Sequence, residues 1–192
     1  LTGKPENTMM GIYNFIKANA PSNILNFQTD TNYSGQSWIQ GGEKFLDEAL
    51  EQIFRYAGRG AGAADELMMF CGSGALLGLQ RLVKTGAHIS IKPGSVDYGI
   101  NVLQWTTSFG TVYIKTHPLF NVEATNRNIA FLLHPANIQY CYLKGRDTDL
   151  YENVQIPGTD GRTDEYLTEC TLELHHPETF GLLRGLGLDS AV

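Results

Sequence analysis

The stretch Glu66–Lys84, ELMMFCGSGALLGLQRLVK, decides the fold. Leu67-Met68-Met69-Phe70-Cys71 is a continuous apolar run, long enough for a strand buried on both faces. Gly72-Ser73-Gly74 punctuates it, and Ser73 stands where a helix cap is expected. Beyond it the apolar residues fall at Ala75, Leu76, Leu79, Leu82 and Val83, which is helical spacing. Lys84 in the last turn and Gly86 just after it are stop signals. A strand, a tight turn and a helix therefore predict the central layer of an α+β or α/β core.

Working outward, Gly42–Ala57 is the clearest helix. Phe45, Leu46, Ala49, Leu50, Ile53 and Phe54 form one apolar stripe, while Glu43, Asp47, Glu48 and Glu51 keep the other face wet. Residues 58–64, GRGAGAA, read as a flexible turn into the central strand. Toward the N-terminus, Leu1–Thr8 reads as a linker, Met10–Ile16 as a short apolar segment, and Asn23–Trp38 as an irregular excursion or weak hairpin. Downstream the period becomes that of strands. His88–Ile91 stops at a Lys92-Pro93-Gly94 turn, Ile100–Trp105 and Thr111–Thr116 flank a hairpin loop, and Ile129–Leu133 and Ile138–Leu143 follow. Lys144–Thr163 is the longest polar stretch and reads as a loop. Glu165–His175 alternates as one strand, Pro177 ends it, and Phe180–Leu183 begins a short closing element.

At 192 residues the chain suits one main domain. No apolar run approaches the roughly 18 residues of a membrane span, and no signal-peptide pattern opens the chain. Leu1 is not an initiator methionine, so a processed or trimmed product of a longer chain is expected. Three widely spaced cysteines suggest neither a disulfide framework nor a zinc site, and a reducing compartment is the simplest reading. A net charge of −6 with no basic run lacks the footprint of direct or sequence-specific nucleic-acid binding. Charged residues make up 18%, below the roughly 25% usual in soluble domains. A surface covered by partner subunits and simple drift of composition both explain that.

Chemistry is scarce. Cys71-Gly72-Ser73-Gly74 sits where a nucleophile elbow would, but Cys71 occupies the position at which G-x-S-x-G needs glycine. A Cys71 nucleophile needs a depressed pKa and a positioned histidine, and the sequence places none of the five histidines beside it. Glycines that let helix and strand pack closely are the better reading. The same glycines as a phosphate cradle lack any following Gly-Lys-Ser/Thr or G-x-G-x-x-G. His175 and His176 point to opposite faces of a strand and cannot share one ion, and His117 and His134 have no ligand at metal spacing. Asp147, Asp149, Glu152, Asp160 and Asp164 match no EF-hand loop. The expectation is no catalytic residue, no metal and no cofactor.

Four segments then carry a resemblance: FLDEALEQIFRYAG, DELMMFCGSGALLGLQRL, WTTSFGTVYIKTHPLF and LTECTLELHHPETFGLLRGL. They resemble the major capsid proteins of tailed phages, which have the Hong Kong 97-like capsid fold, and the resemblance covers nearly the whole chain, Gly3–Leu188. At Ser108, in Thr107–Val112, family members often carry Asp instead. The resemblance implies an α+β shell subunit, with residues 1–164 mainly an axial domain and 165–192 returning through the peripheral domain. It implies copies of the chain as partners, in hexamers and pentamers of an icosahedral head enclosing DNA. The implied location is the virion, with host cytoplasm before assembly and no membrane. The family's N-terminal arm, extended loop and spine helix are not visible here. These 192 residues alone are therefore expected to be a monomer or small ring, and a longer parent to close particles. The rival readings are a cytosolic α/β thiol or hydrolytic enzyme using Cys71, and a small-ligand binding module.

One surface is proposed by the residues themselves. Leu150, Tyr151, Val154 and Ile156 give the polar stretch Lys144–Thr163 an apolar side that a lone subunit would leave wet. Arg146, with Asp147 and Asp149, is placed to fix register at a polar rim. These seven are the candidate subunit-interface residues.

Overall fold

The computed structural model describes residues 9–56, 66–85, 90–97, 100–154, 157–158 and 160–190. In chain order they form α1 (Ile12–Asn19), β1 (Ile24–Asn26), α2 (Trp38–Phe54), β2 (Glu66–Cys71), α3 (Ser73–Lys84), β3 (Ser90–Asp97) and β4 (Ile100–Thr106). There follow β5 (Thr111–Thr116), β6 (Ala130–Leu133), β7 (Ile138–Tyr142), β8 (Asp149–Tyr151), β9 (Glu165–Leu167), β10 (Cys170–Leu174) and β11 (Gly181–Arg184). The class is α+β. The chain divides into two compact units. The larger runs over Ile12–Asn137 and resumes at His175; the smaller is built on Ile138–Leu174. The crossings fall at 137/138 and 174/175.

The larger unit is a mixed seven-stranded sheet in the order β1-β11-β6-β2-β5-β4-β3. β2 lies near its middle, parallel to β5 and antiparallel to β6, so its unbroken apolar run is buried from both sides. Leu67, Met69 and Cys71 join one core with Phe45, Leu46, Leu50 and Ile53 of α2 and Ala75, Leu79 and Leu82 of α3. Each such large aliphatic side chain contributes about 2 kcal/mol on leaving water. Phe70, on the other face, meets the His117 ring at 6.4 Å, which continues through Phe120 to Phe131.

Where the structure departs from the sequence reading, a distant partner decides. α2 starts at Trp38 rather than Gly42, because Gln40 Oε1 accepts the Ser37 N–H at 3.3 Å and Asp189 Oδ1 accepts the Trp38 N–H at 2.9 Å. It ends at Phe54, and residues 58–64 lie outside the described ones. The excursion Asn23–Trp38 is partly core. β1 pairs in parallel with β11, and Phe27, Tyr33 and Trp38 pack with Phe45 at centroid distances of 5.0 to 6.5 Å. Lys92-Pro93-Gly94 is not a turn. β3 continues through it with a register shift between Pro93 and Val96, which an edge strand tolerates because one side makes no ladder bonds. Leu1–Thr8 and His88-Ile89 lie outside the described residues.

The smaller unit is two antiparallel ribbons, β7 with β10 and β8 with β9. Glu165–His175 is therefore two strands rather than one. The break at Thr168-Glu169 has a cause: Glu169 N–H donates to Arg146 O at 2.9 Å, its carbonyl accepts the Leu143 N–H at 3.0 Å, and its side chain pairs with Arg146 at 2.8 Å. Lys144–Thr163 is likewise no simple loop, since it contains β8. Val154 N–H donates to Thr163 O at 2.8 Å and carries the pairing beyond that strand.

Candidate functional site

The strand–turn–helix at Cys71 is the first place to test for chemistry. Cys71 is fully buried, and burial pushes its thiol up to about 12, so it is a neutral thiol at any ordinary pH. His117 meets it through the backbone: its N–H donates to Cys71 O at 3.0 Å. The imidazole, however, lies with Phe70 and Phe120, and its Nδ1 accepts the Leu119 N–H at 3.3 Å. It is spent on a 3₁₀ turn.

The start of α3 is equally closed. Gly72, not Ser73, is the cap residue, and the side chain of Asn121 supplies the missing acceptor, Oδ1 to Ser73 N–H at 2.9 Å. A Cβ at Gly74 would lie 2.8 Å from the Asn128 side chain, and one at Gly72 would run into the Arg127 carbonyl. The glycines admit the turn 124–128 against the helix end, where a phosphate would otherwise sit. Among the described residues no group of three or more His, Cys, Asp or Glu is gathered for a metal ion.

What stands out instead is the smaller unit's surface. Tyr140, Tyr142, Leu143, Leu150, Tyr151 and Val154 are 40% to 57% exposed, and Tyr166 reaches 75%. On the β7–β10 ribbon Tyr140 lies opposite Leu172 and Tyr142 opposite Cys170, so the two tyrosines share a face, with rings 5.9 Å apart. On the β8–β9 ribbon Leu150 lies opposite Tyr166. Of the seven sequence-derived residues, Leu150, Tyr151 and Val154 are each exposed, Leu150 on the Tyr166 face of the ribbon and Tyr151, opposite Glu165, on the other, and Ile156 lies outside the described residues. Arg146 is paired to Glu169 and Asp147 Oδ1 accepts the Tyr140 hydroxyl at 2.7 Å, so both are engaged within the unit. Asp149 is paired by backbone to Leu167.

Local bonds set the electrostatics here. The bond to Asp147 raises Tyr140 well above the ordinary tyrosine range, and a bond from Cys141 Sγ to Glu173 Oε2 at 3.2 Å raises that thiol. Arg162 is held between Glu152 at 3.1 Å and Asp164 at 3.0 Å, which occupies two of the acids considered for calcium. Sequence reasoning missed Tyr140, Tyr142 and Tyr166. The signal was present as tyrosines on alternating strand positions, but alternation does not say which face stays wet.

Known proteins put this surface in context. The class is that of phage major capsid proteins. The sequence model described as "SU10 major capsid protein" matches residues 2–187, and the chain belongs to that family. A curated relative, the "Major capsid protein" of Pseudomonas phage PaMx41, is 21% identical over 198 aligned positions, which take in 96% of this chain. The chain spans 45% of that relative's length.

Proposed function

We propose that the chain is a structural virion protein, a shell subunit that associates with copies of itself into the icosahedral head of a tailed phage. The observation that carries this reading is family membership over residues 2–187. Two physical features support it. Isolated two-stranded ribbons are marginal in water, and the smaller unit consists of two of them with tyrosines and leucines left exposed. Cys71, the thiol on which the rival enzyme reading rests, is buried and protonated. Within this reading the fold is Hong Kong 97-like. The larger unit, Ile12–Asn137 resumed at His175, corresponds to the axial domain, and Ile138–Leu174 belongs to the peripheral domain.

Leu150, Tyr151 and Val154, joined by Tyr166, are the contact residues toward a neighbouring copy, with Ile156 in the same segment. Arg146 and Asp147 serve that contact by fixing the ribbons that present it. The work is contact rather than catalysis, and the shell's partners are other subunits in rings of five and six. No described helix is long and apolar enough to cross a membrane. Negative-stain microscopy and light scattering on the protein at its full natural length test the reading. Closed particles are expected; a monomer at every concentration refutes it.

A further inference from the structure

Arg184 ends β11 in register with Asn26 of β1, so their side chains leave the same face of the sheet. Its neighbour Leu183 is buried beneath the helices, which puts Arg184 and Asn26 on the opposite face. There they line an open cleft of about 230 Å³, with Gln28, Thr125 and Asn128 around them. All of it lies within the larger unit.

The chemistry of this cleft is unbalanced. Arg184 is half-buried, no acid is among the residues that line the cleft, and no described carboxylate stands within ion-pair distance of the guanidinium. The neighbours are held in place by the fold. Asn26 Oδ1 accepts the Gln28 N–H at 3.2 Å, Gln28 Nε2 donates to Asp189 O at 3.4 Å, and Asn128 Nδ2 donates to Leu186 O. The Arg184 guanidinium, the Asn26 amide N–H groups and the Thr125 hydroxyl are left without an acceptor among the described residues. A partly desolvated guanidinium flanked by neutral donors is a planar oxyanion receptor, and a bidentate carboxylate satisfies its fork.

We infer that this cleft receives an Asp or Glu side chain from a second copy of the chain, gripped by Arg184 with Asn26 and Thr125 beside it. The inference rests on the self-association proposed above. Charge selects the occupant. With 20 Asp and Glu against 14 Lys and Arg, a second copy offers carboxylates freely, while the net charge of −6 repels a nucleic-acid backbone. A single guanidinium is also too little to hold a polyphosphate.

The test mixes unlabelled and ¹⁵N-labelled protein carrying Arg184→Lys and treats it with a carbodiimide, which joins a lysine amine to a touching carboxylate. The expected product is a mixed-isotope peptide linked through position 184 to one Asp or Glu. In parallel, Arg184→Gln and Thr125→Val are compared with wild type by sedimentation. Arg184→Gln is expected to weaken association at least tenfold and Thr125→Val severalfold, each with its melting temperature held within a few degrees. Acetate at constant ionic strength is expected to compete with association and to shift the Arg184 Nε–H resonance. Association unchanged in Arg184→Gln, or no link through position 184 in an associating protein, overturns the cleft assignment alone. An Nε–H shift with a DNA oligonucleotide and none with acetate overturns the choice of occupant. A wild-type protein of full natural length that never associates overturns both this inference and the shell-subunit reading.

Discussion

Gly78 provides the sharpest test of the packing, because helix propensity and contact geometry give opposite signs. It lies inside α3, where alanine is ordinarily better than glycine by about 1 kcal/mol. A Cβ there, however, would sit 2.6 Å from Gly187 Cα and 2.7 Å from Gly187 N. Carbon atoms rest at about 3.5–4.0 Å, so helix and turn must part by roughly 1 Å. The obstacle is backbone held at φ +81°, with no side chain to rotate away. The Gly78 carbonyl also accepts the Trp38 Nε1–H at 2.9 Å, so a shift of α3 disturbs the aromatic cluster under α2. Overpacking of this kind costs about 1–3 kcal/mol and a gap opened alongside costs more. Against the propensity gain, the net expectation for Gly78→Ala is a loss of about 2 kcal/mol. For a chain of this size that lowers the melting temperature by about 4–8 °C. Calorimetry or urea unfolding reads it, with Gln80→Ala on the exposed face of the same helix as a control expected within about 0.5 kcal/mol of wild type. A Gly78→Ala variant as stable as wild type, or more so, would refute the close approach of α3 to the 185–188 turn.

Cys71 should resist iodoacetamide in the native protein while the half-exposed Cys141 and Cys170 react, and rapid native labelling of Cys71 counts against its burial. Its raised pKa also predicts a direction with pH. The buried thiol keeps its proton while the unfolded one loses it, so stability is full below about pH 9 and drains away toward about pH 12. Cys71→Ala should flatten that alkaline slope in urea midpoints taken between pH 8 and 11, and an unchanged slope would assign it to other groups. His134 is buried with neither ring nitrogen hydrogen-bonded among the described residues, a cost of about 1–3 kcal/mol that an apolar ring avoids. His134→Phe should therefore be neutral or stabilising by about 1 kcal/mol in denaturant titration, and a loss above 2 kcal/mol would mean that the histidine has an essential partner. Replacing Leu150 and Tyr166 by Ser removes a wet cross-strand pair, so melting should move by no more than about 3 °C while particle yield by microscopy falls sharply. Normal particles from that double variant would sink the ribbon as a contact surface.

The parts of the fold legible in the sequence are those whose partners are local or indifferent. The α2 stripe and the β2 run could be read because any apolar surface satisfies them, and both are buried as that demands. The β4–β5 hairpin could be read because Thr107 to Gly110 closes its own loop, with Thr107 N–H donating to Gly110 O at 2.8 Å. The start of α2 could not, because Asp189 completes it from the other end of the chain. The aromatic packing of Phe27 and Tyr33 was hidden for the same reason: β1 has a place only beside β11, and nothing local announces a three-residue strand. β11 itself read as a closing element, yet it lies between β1 and β6 inside the main sheet.

The smaller unit poses the opposite problem, and there the difference between sequence and structure is informative. Its alternation was visible in Glu165–His175, but alternation assumes that one face is covered, and within Ile138–Leu174 each ribbon has two strands and open edges. Tyr140, Tyr142 and Tyr166, which alternation alone would place on a covered face, are then exposed by half or more among the described residues. The polar bonds around them are not those of a loose loop. Arg146 to Glu169, Tyr140 to Asp147, Thr148 to Thr168 and Arg162 to Glu152 and Asp164 hold each crossing of the ribbons in register. Surface pairs of this sort add little stability, commonly under about 1 kcal/mol each. What they supply is geometry: they fix where the exposed tyrosines and leucines stand without burying them. A fold that invests its polar contacts in presenting an apolar surface is built for a partner that covers it, and for a member of a capsid-protein family that partner is, on this reading, the next copy of the same chain.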